Sequence, residues 1–373
     1  EKANQVLPPT DPEMAAFVQL ALDQMGVEVI TGDGIASFEG NGKATAVVLE
    51  SGRQLAADMF ILGIGVRPEV GLARTAGLSI GEVGGIQVDD HMRTSDPDIY
   101  AAGDAVEVVN LVTGKPSLIA LAGPANKQGR VAGANAVGGE LTFPGALGTA
   151  IVRAGDTVAA VTGLSEKAAA RMGMDVVTSY NINGDHADYY PGVQQMVIKV
   201  VYERGTGRLL GAQIVGGNGV DKRADVFATA ITARMTVEDL TNLDLAYAPP
   251  FGSAKDPVIV AGMIGQNSRS GQLNPLTPSE LTAMLDQGRP VQLVDVREPY
   301  EFALGALPGA INIPIDEVRQ RMGELDHQLP TVVYDGNGSK GYVAARILGQ
   351  ALPGPVYNLS GGFNIWSAYQ AVR

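Results

Sequence analysis

The chain has 373 residues, of which 45% are hydrophobic and 18% are charged, so its composition is that of a globular protein rather than a disordered one. Its formal net charge of −13 argues against nucleic acid or an anionic membrane surface as a partner. It has no cysteine, which excludes disulfides and cysteine metal sites, and no metal site is predicted. No apolar run is long enough for a transmembrane helix, so we expect a cytoplasmic protein of two or three domains.

The first predicted element is a helix over 12–25, with Thr10 or Asp11 as its N-cap and Gly26 as its C-cap. Apolar segments then predict strands at 27–30, 37–39, 44–49 and 59–63, the middle two joined by an Asn41–Gly42 turn. A doubly wound unit should open with a strand and a glycine-rich turn, whereas this region begins part-way through one.

Two stretches further along predict a cofactor site. T-S-D-P-D-I-Y-A-A-G-D-A, 94–105, contains a short strand over 99–102 that ends on Gly103 and Asp104. Glycine lets a ligand approach bare backbone, and the carboxylate can accept a hydrogen bond from a ligand hydroxyl. L-A-G-P-A-N-K-Q-G-R, 121–130, is typical of a helix N-terminus with free N–H groups.

This pair resembles the second flavin-binding segment of the disulfide reductases that contain two dinucleotide-binding domains. The resemblance implies that Asp104 holds the ribityl chain of FAD beside Gly103. It also implies that the helix start at Leu121 and Ala122 faces the pyrimidine edge of the flavin, where a reduced flavin carries negative charge. An ordinary strand, turn and helix is the alternative.

The same resemblance explains the N-terminal region. Residues 1–65 correspond to the end of a nicotinamide-nucleotide domain and 66–145 to the second segment of the FAD domain, with Glu1 at the place of the ribose-binding acid. I-L-G-I-G-V-R-P, 61–68, would bring Gly65 close to the nicotinamide of NAD(P)H, although a simple crossover remains open. A further short strand is predicted over 86–89. We expect a chain that lacks the first flavin half and the nicotinamide phosphate loop, through truncation or as a natural remnant.

Residues 146–267 predict a separate α+β unit. Its elements are strands at 149–152, 158–163, 176–182, 195–202 and 209–215, with helices capped by Ser165, over 221–235 and from 237. Such alternation favours an open antiparallel sheet with one covered face. The unit resembles the dimerisation domain of the same family, which implies a homodimer.

Two tyrosine-containing stretches lie in this unit, H-A-D-Y-Y-P-G with Tyr189 and A-Y-A-P-P-F-G with Tyr247. They resemble those of the coenzyme A-disulfide and persulfide reductases, in which a tyrosine from each stretch reaches the partner's active site. The resemblance implies that Tyr189, rather than Tyr190, and Tyr247 are catalytic, since a phenol can donate to a developing thiolate. Pro250 and Phe251 are expected near the cofactor. Packing at a dimer interface is the alternative, and for His186 it is the preferred interpretation.

The polar stretch at 266–274 predicts a linker. As domain boundaries, we assign the linker to 268–275 and a final domain to 276–373. T-P-S-E, from Thr277 to Glu280, is a capping box that starts a helix. Strands at 291–297 and 331–334 and a helix from Asp316 follow. The order D-V-R-E-P-Y-E-F, P-G-A-I-N-I-P and G-G-F-N-I-W resembles a rhodanese domain over its whole length.

The rhodanese resemblance departs at the active loop, where Asp335 stands in place of the nucleophilic cysteine. A carboxylate cannot carry a sulfane sulfur, and Ser339 has no evident base, so no sulfurtransferase activity is expected. The carboxylate should also fill the backbone anion site of the loop, partly offset by Lys340. The loop consists of Asp335, Gly336, Asn337, Gly338, Ser339, Lys340 and Gly341.

The fold class predicted is therefore α/β and α+β multidomain: a partial two-dinucleotide-domain flavoprotein, a dimerisation domain and a C-terminal rhodanese domain. The implied function is FAD- and NAD(P)H-dependent reduction of coenzyme A disulfide, persulfide or polysulfide. Two alternatives stay open: a non-catalytic dimeric scaffold that binds an anion or a protein, and an NADH oxidase.

Overall fold

The computed structural model describes all 373 residues, which form two compact units: 1–32 together with 151–373, and 33–150. The helices are α1 Pro12–Gln24, α2 Gly71–Thr75, α3 Ala122–Asn135, α4 Glu166–Arg171, α5 Val220–Thr232, α6 Val237–Leu240, α7 Pro257–Arg269, α8 Pro278–Asp286, α9 Pro299–Leu304, α10 Val318–Arg321, α11 Ser339–Ala351 and α12 Gly362–Ala371. The strands are β1 Ile35–Gly40, β2 Ala44–Leu49, β3 Gln54–Ala56, β4 Val108–Val109, β5 Pro116–Ser117, β6 Ala150–Ala154, β7 Thr157–Gly163, β8 Val176–Gly184, β9 Gln195–Glu203, β10 Leu209–Gly216, β11 Pro275–Leu276, β12 Gln292–Asp295, β13 Ile311–Asn312, β14 Thr331–Tyr334 and β15 Val356–Leu359. None of the helices is long and apolar enough to cross a bilayer.

The unit over 33–150 contains a three-stranded antiparallel sheet, β1-β2-β3, and a core of its own. That core includes Ile86, Met92, Val106 and Phe143, with Val131 contributed by α3. The strands predicted at 37–39 and 44–49 are confirmed here as β1 and β2, which pair antiparallel across the predicted turn.

Four other predicted strands are wrong. Residues 27–30 and 59–63 pair with no neighbouring strand, and Ile61 is 88% exposed. The segments at 86–89 and 99–102 make only isolated bridges. Apolar sequence alone indicates an extended chain, but a strand also needs a partner that completes the ladder of hydrogen bonds.

The other unit contains a five-stranded antiparallel sheet in the order β6-β7-β10-β9-β8, which confirms the sheet predicted over 149–215. Helices α5 and α7 pack on one face. The prediction of a single covered face is wrong, because Met14 and Val18 of α1 pack with Val197 and Val215 on the other face. Strand β9 is accordingly buried along nearly its whole length.

A buried cluster of charges lies between α1 and this sheet. The Lys199 ammonium, fully buried, is 2.9 Å from an Asp11 carboxylate oxygen, 3.6 Å from Glu13 and 2.6 Å from Glu166. Tyr180 donates to Glu13 at 2.8 Å. Burial alone would disfavour these charges, and their mutual attraction and hydrogen bonds offset that cost.

The helix caps predicted at Asp11 and Ser165 need correction. Asp11 is the N-cap residue of α1, but its carboxylate makes no bond to that helix. It accepts the backbone N–H groups of Glu166 and Lys167 at 2.9 and 3.0 Å, so it caps α4 in place of the Ser165 hydroxyl. Although burial opposes ionisation of Asp11, the charge of Lys199 and these hydrogen bonds lower its pKa.

The C-terminal part of the chain contains a parallel sheet in the order β11-β15-β14-β12-β13. The Thr277–Glu280 capping box is confirmed at the start of α8, as is the strand over 331–334. The polar linker is shorter than predicted, because α7 continues to Arg269. At Asp316 the chain forms a 3-10 turn, Ile315–Glu317, before α10.

Candidate functional site

The two predicted catalytic tyrosines lie side by side. The hydroxyl oxygens of Tyr189 and Tyr247 are 3.3 Å apart, within hydrogen-bonding distance, although 58 residues separate them in the chain. Tyr189 is 75% exposed and Tyr247 49% exposed. Two phenol groups thus meet at a surface where a ligand can reach both.

The backbone joins the two stretches at a second point. Ala187 donates its N–H to the carbonyl of Pro249 at 3.4 Å. The Phe251 N–H donates to the carbonyl of Ala248 at 2.8 Å, which closes a tight turn around the double proline. Pro250 lies within this turn, and the Phe251 ring is exposed. The prolines restrict the backbone here, so the phenol contact depends on a stiff segment.

His186 and Tyr190 pack against each other rather than joining the phenol pair. Their ring centroids are 5.8 Å apart in an edge-on arrangement. His186 Nδ1 lies 2.9 Å from the Asp185 carboxylate, and its buried Nε2 has no hydrogen-bond partner. Burial opposes protonation of His186, but the Asp185 hydrogen bond and charge outweigh it and raise the pKa of the imidazole.

The contact between the phenols affects the pKa of Tyr189. The hydrogen bond from Tyr247, followed by burial, raises the pKa of Tyr189 above its ordinary value of 10.0. At neutral pH a phenol is protonated even at its ordinary pKa, so the Tyr189 hydroxyl carries a proton. A protonated phenol can donate to an anion that develops on a bound substrate.

The predicted flavin contacts have the local geometry that such a ligand needs. Gly103 has φ of +88°, and a Cβ placed there would meet nothing closer than 4.0 Å, so its surface is open. Its N–H donates to the Gln128 side chain at 2.6 Å. Asp104 is exposed, and α3 begins at Ala122 with no side-chain cap from Leu121. A free carboxylate and an uncapped helix start fit a ribityl hydroxyl and an electron-rich ring edge.

The remaining predicted cofactor residues are exposed. Gly65 has φ of +90° in the unpaired segment that follows 59–63, and no atom would oppose a Cβ there. The Glu1 carboxylate accepts the N–H of Ala3 at 2.9 Å, and the terminal ammonium donates to Ile30. No group of histidine, aspartate and glutamate side chains has the arrangement of a metal site.

The rhodanese loop is closed by its own aspartate. One Asp335 carboxylate oxygen accepts the N–H of Gly338 at 2.6 Å, and the other accepts the N–H of Lys340 at 3.0 Å. The Asp335 side chain is buried, and the Ser339 hydroxyl donates to Asn337 at 2.7 Å. The backbone groups that would stabilise a thiolate or persulfide already bind a carboxylate.

One motif in this loop and one contact near it were not recognised from the sequence. G-N-G-S-K-G, 336–341, has the spacing of a dinucleotide-binding glycine motif, and it follows β14 and opens α11. The Asp335 carboxylate holds the N–H groups that a phosphate would need. Nearby, the Arg297 guanidinium lies 4.3 Å from the Phe363 ring centroid and pairs with Asp295 at 2.6 Å.

Three family models match the chain in succession. Residues 1–129 match the pyridine nucleotide-disulphide oxidoreductase model, 150–257 match the dimerisation domain of that family, and 277–369 match the rhodanese-like domain. These matches confirm the predicted fold class, a mixed α/β multidomain flavoprotein fold with the three domains in that order.

Solved structures and a curated relative resemble the chain closely. The crystal structure of reduced Bacillus anthracis CoADR-RHD is 41% identical with a TM-score of 0.94, and the match covers 100% of this chain and 66% of that one. An NAD-dependent persulfide reductase from A. fulgidus is 39% identical with a TM-score of 0.90, over 98% and 66%. The NAD(P)H sulfur oxidoreductase (CoA-dependent) of Pyrococcus furiosus is 41% identical over 61% of this chain and 51% of the relative. The chain thus spans about half the length of that curated relative.

Proposed function

We propose that this chain belongs to an FAD- and NAD(P)H-dependent reductase of coenzyme A disulfide, persulfide or polysulfide. The observation that carries the proposal is the 3.3 Å contact between the Tyr189 and Tyr247 hydroxyls, two proton donors at one exposed place. The similar proteins named as an NAD(P)H sulfur oxidoreductase (CoA-dependent) and an NAD-dependent persulfide reductase support the same chemistry.

The phenols have a defined task in such a reaction. Reduction of a disulfide or persulfide releases a sulfur anion, and this anion is stabilised by a hydrogen-bond donor and neutralised by a proton. Tyr189, like any phenol at neutral pH, carries the proton that it would donate. We assign Tyr247 as its partner and as the second donor to the sulfur.

Gly103, Asp104, Leu121 and Ala122 are the residues proposed to bind FAD, with Gly65 and Glu1 on the nicotinamide side. Bound FAD would supply the two-electron chemistry that passes from NAD(P)H to sulfur. The exposed Asp104 carboxylate would accept a ribityl hydroxyl, and the uncapped start of α3 would offer its positive end to the ring.

The dimerisation domain bears on where the two phenols act. We propose a homodimer in which Tyr189 and Tyr247 of one protomer, with Pro250 and Phe251, serve the flavin site of its partner. Their exposure within one protomer, 75% and 49% for the two tyrosines, supports a role that is completed outside the protomer itself.

The test uses the full-length gene product, with coenzyme A disulfide and polysulfide as substrates. Tyr247→Phe removes one hydroxyl from the exposed pair and should lower kcat roughly 10²–10⁴-fold, the usual contribution of a proton donor. Tyr190→Phe, whose ring packs on His186, is the matched control. Flavin absorbance should be equal in all three proteins. Equal kcat values for the two variants would remove Tyr247 from the reaction.

The rhodanese loop favours a second candidate function for the C-terminal domain alone. Asp335 occupies the loop, so we propose that this domain contributes binding rather than sulfur transfer.

If the full-length protein carried no flavin, a dimeric scaffold would replace the reductase. If it consumed NADH with oxygen but not with sulfur substrates, it would be an NADH oxidase.

A further inference from the structure

A buried arginine lies beneath the two tyrosine stretches. Arg223, in the first turn of α5, is 1% exposed and among the largest fully buried side chains. A guanidinium stays charged in proteins, so its burial requires an opposite charge and further acceptors. Asp256 supplies the charge, with its two carboxylate oxygens at 2.8 and 3.3 Å from the guanidinium.

The acceptors of this arginine come from different segments of the site. Arg223 Nη2 donates to the carbonyl of Asp185 at 2.8 Å, four residues before Tyr189. Asp256 follows the segment that carries Tyr247, and it also caps α7 by accepting the N–H of Val258 at 3.0 Å. The Arg223 guanidinium therefore links the Asp185 backbone, at the start of the first tyrosine stretch, to Asp256, which follows the second.

The second stretch also passes close over the guanidinium. A Cβ placed on Gly252 would lie 3.9 Å from Arg223 Nη2 and 3.6 Å from the carbonyl of Ala246. The phenols themselves are exposed and bond to each other only at their tips. Because surface side chains do not fix such a distance by packing, the backbones below them must fix it.

We propose that Arg223, held by Asp256, is the positioning residue that brings the Tyr189 and Tyr247 hydroxyls together. This inference rests on the proposed reductase function for its purpose, but its geometry does not depend on turnover. Lysine cannot replace arginine here, since an ammonium lacks the planar fork that reaches Asp256 and the Asp185 carbonyl at once.

The test is a titration of the tyrosines in the full chain labelled with ¹³Cζ-tyrosine and followed by NMR. Tyr189→Phe and Tyr247→Phe assign the pair among the 11 tyrosines. In the parent, Tyr189 should titrate higher than in Tyr247→Phe, which lacks the phenol contact. In Arg223→Lys, the Tyr189 midpoint should fall to the value found in Tyr247→Phe.

Arg204→Lys is the matched control, because Arg204 forms an exposed pair with Asp175 at 2.9 Å. It should leave the Tyr189 midpoint at the parental value. A folded Arg223→Lys protein, by circular dichroism, with the parental Tyr189 midpoint would overturn the proposal. If Arg223→Lys does not fold, Asp256→Glu decides. This variant keeps the charge but displaces the carboxylate, so it should lower the Tyr189 midpoint, and an unchanged midpoint would overturn the proposal.

The titration separates this inference from the proposed function. A full-length protein without sulfur reductase activity would refute the function and leave the positioning result standing. An active reductase in which Arg223→Lys changes neither the Tyr189 midpoint nor kcat would refute the positioning role and leave the function standing.

Discussion

The tyrosine pair and the rhodanese loop are two candidate sites that differ in the state of their polar atoms. At the first, the Tyr189 and Tyr247 hydroxyls are exposed and bond only to each other, so donor capacity remains for a substrate. At the second, the buried Asp335 carboxylate takes the N–H groups of Gly338 and Lys340. One site is available to a ligand and the other is filled by its own chain.

The comparison shows that a sequence motif can be present while the chemistry usually associated with it is absent. The rhodanese resemblance extends over a whole domain, yet a single side chain occupies the anion site at its centre. The tyrosine stretches are short, yet the fold brings their hydroxyl groups together. Substitutions that exchange or remove these properties test the comparison, and the largest effect is expected at Asp335.

Asp335→Cys should convert the filled loop into an open one. The thiolate would attack the sulfane sulfur of thiosulfate, the S–S bond would break with release of sulfite, and a cysteine persulfide would remain. The N–H groups of Gly338 and Lys340, freed from the carboxylate, would stabilise that anion. Intact-mass analysis should show one added sulfur atom per chain after incubation with thiosulfate.

The chain offers an unusually clean background for this experiment, because it contains no other cysteine. The parent should gain no sulfur. Ser339→Cys, which places an exposed thiol in the same loop but outside the carboxylate position, should gain much less than Asp335→Cys. Equal loading of the two cysteine variants would mean that the loop geometry does not select position 335.

Asp335→Asn should have an intermediate effect, on stability rather than activity. An asparagine oxygen can accept one of the two N–H groups, while its NH₂ faces the other and leaves a buried donor without a partner. Such a loss costs about 1–3 kcal/mol. Denaturant unfolding should show this decrease, whereas Asp316→Asn, an exposed residue in the same domain with the same charge change, should show almost none. Equal stability of the two variants would contradict the hydrogen bonds assigned to Asp335.

The sequence was sufficient for elements whose determinants are local. Strand β2 and strand β14 were predicted with their observed bounds, because each is a short apolar run between turn signals. The Thr277–Glu280 capping box needs only residues within one turn of helix. The segment 59–63 has the same apolar character but lacks a strand partner, which a local pattern cannot reveal.

Long-range polar contacts were the main omission. Asp11 has the sequence position of a cap for α1 but caps α4, 155 residues away. Lys199, within an apolar strand, gave no signal that three carboxylates surround it. Arg223 and Asp256 meet across 33 residues, and each alone is typical of a solvent-exposed helix end.

The two candidate sites also differ in whether their contacts join distant or neighbouring residues of the sequence. The choice of Tyr189 over Tyr190 was a sequence-based prediction, and only the tertiary structure gives the 3.3 Å distance to Tyr247. Filling of the rhodanese loop was expected from Asp335 itself, because the carboxylate lies within five residues of the N–H groups it accepts. A local site can be predicted from its residues, while a site assembled from distant segments needs the fold.

The smallest expected effect concerns the phenol contact and its dependence on pH. The folded pKa of Tyr189 is raised above 10.0, so the contact contributes stability below pH 10.0 and loses it as the pH rises through the folded value. Tyr189→Phe should be slightly less stable than the parent at neutral pH, by less than Asp335→Asn is. That small difference should vanish above the Tyr189 midpoint, as followed by denaturant unfolding at successive pH values. A difference that stays constant across the titration would indicate that ring packing, rather than the proton shared with Tyr247, holds Tyr189 in place.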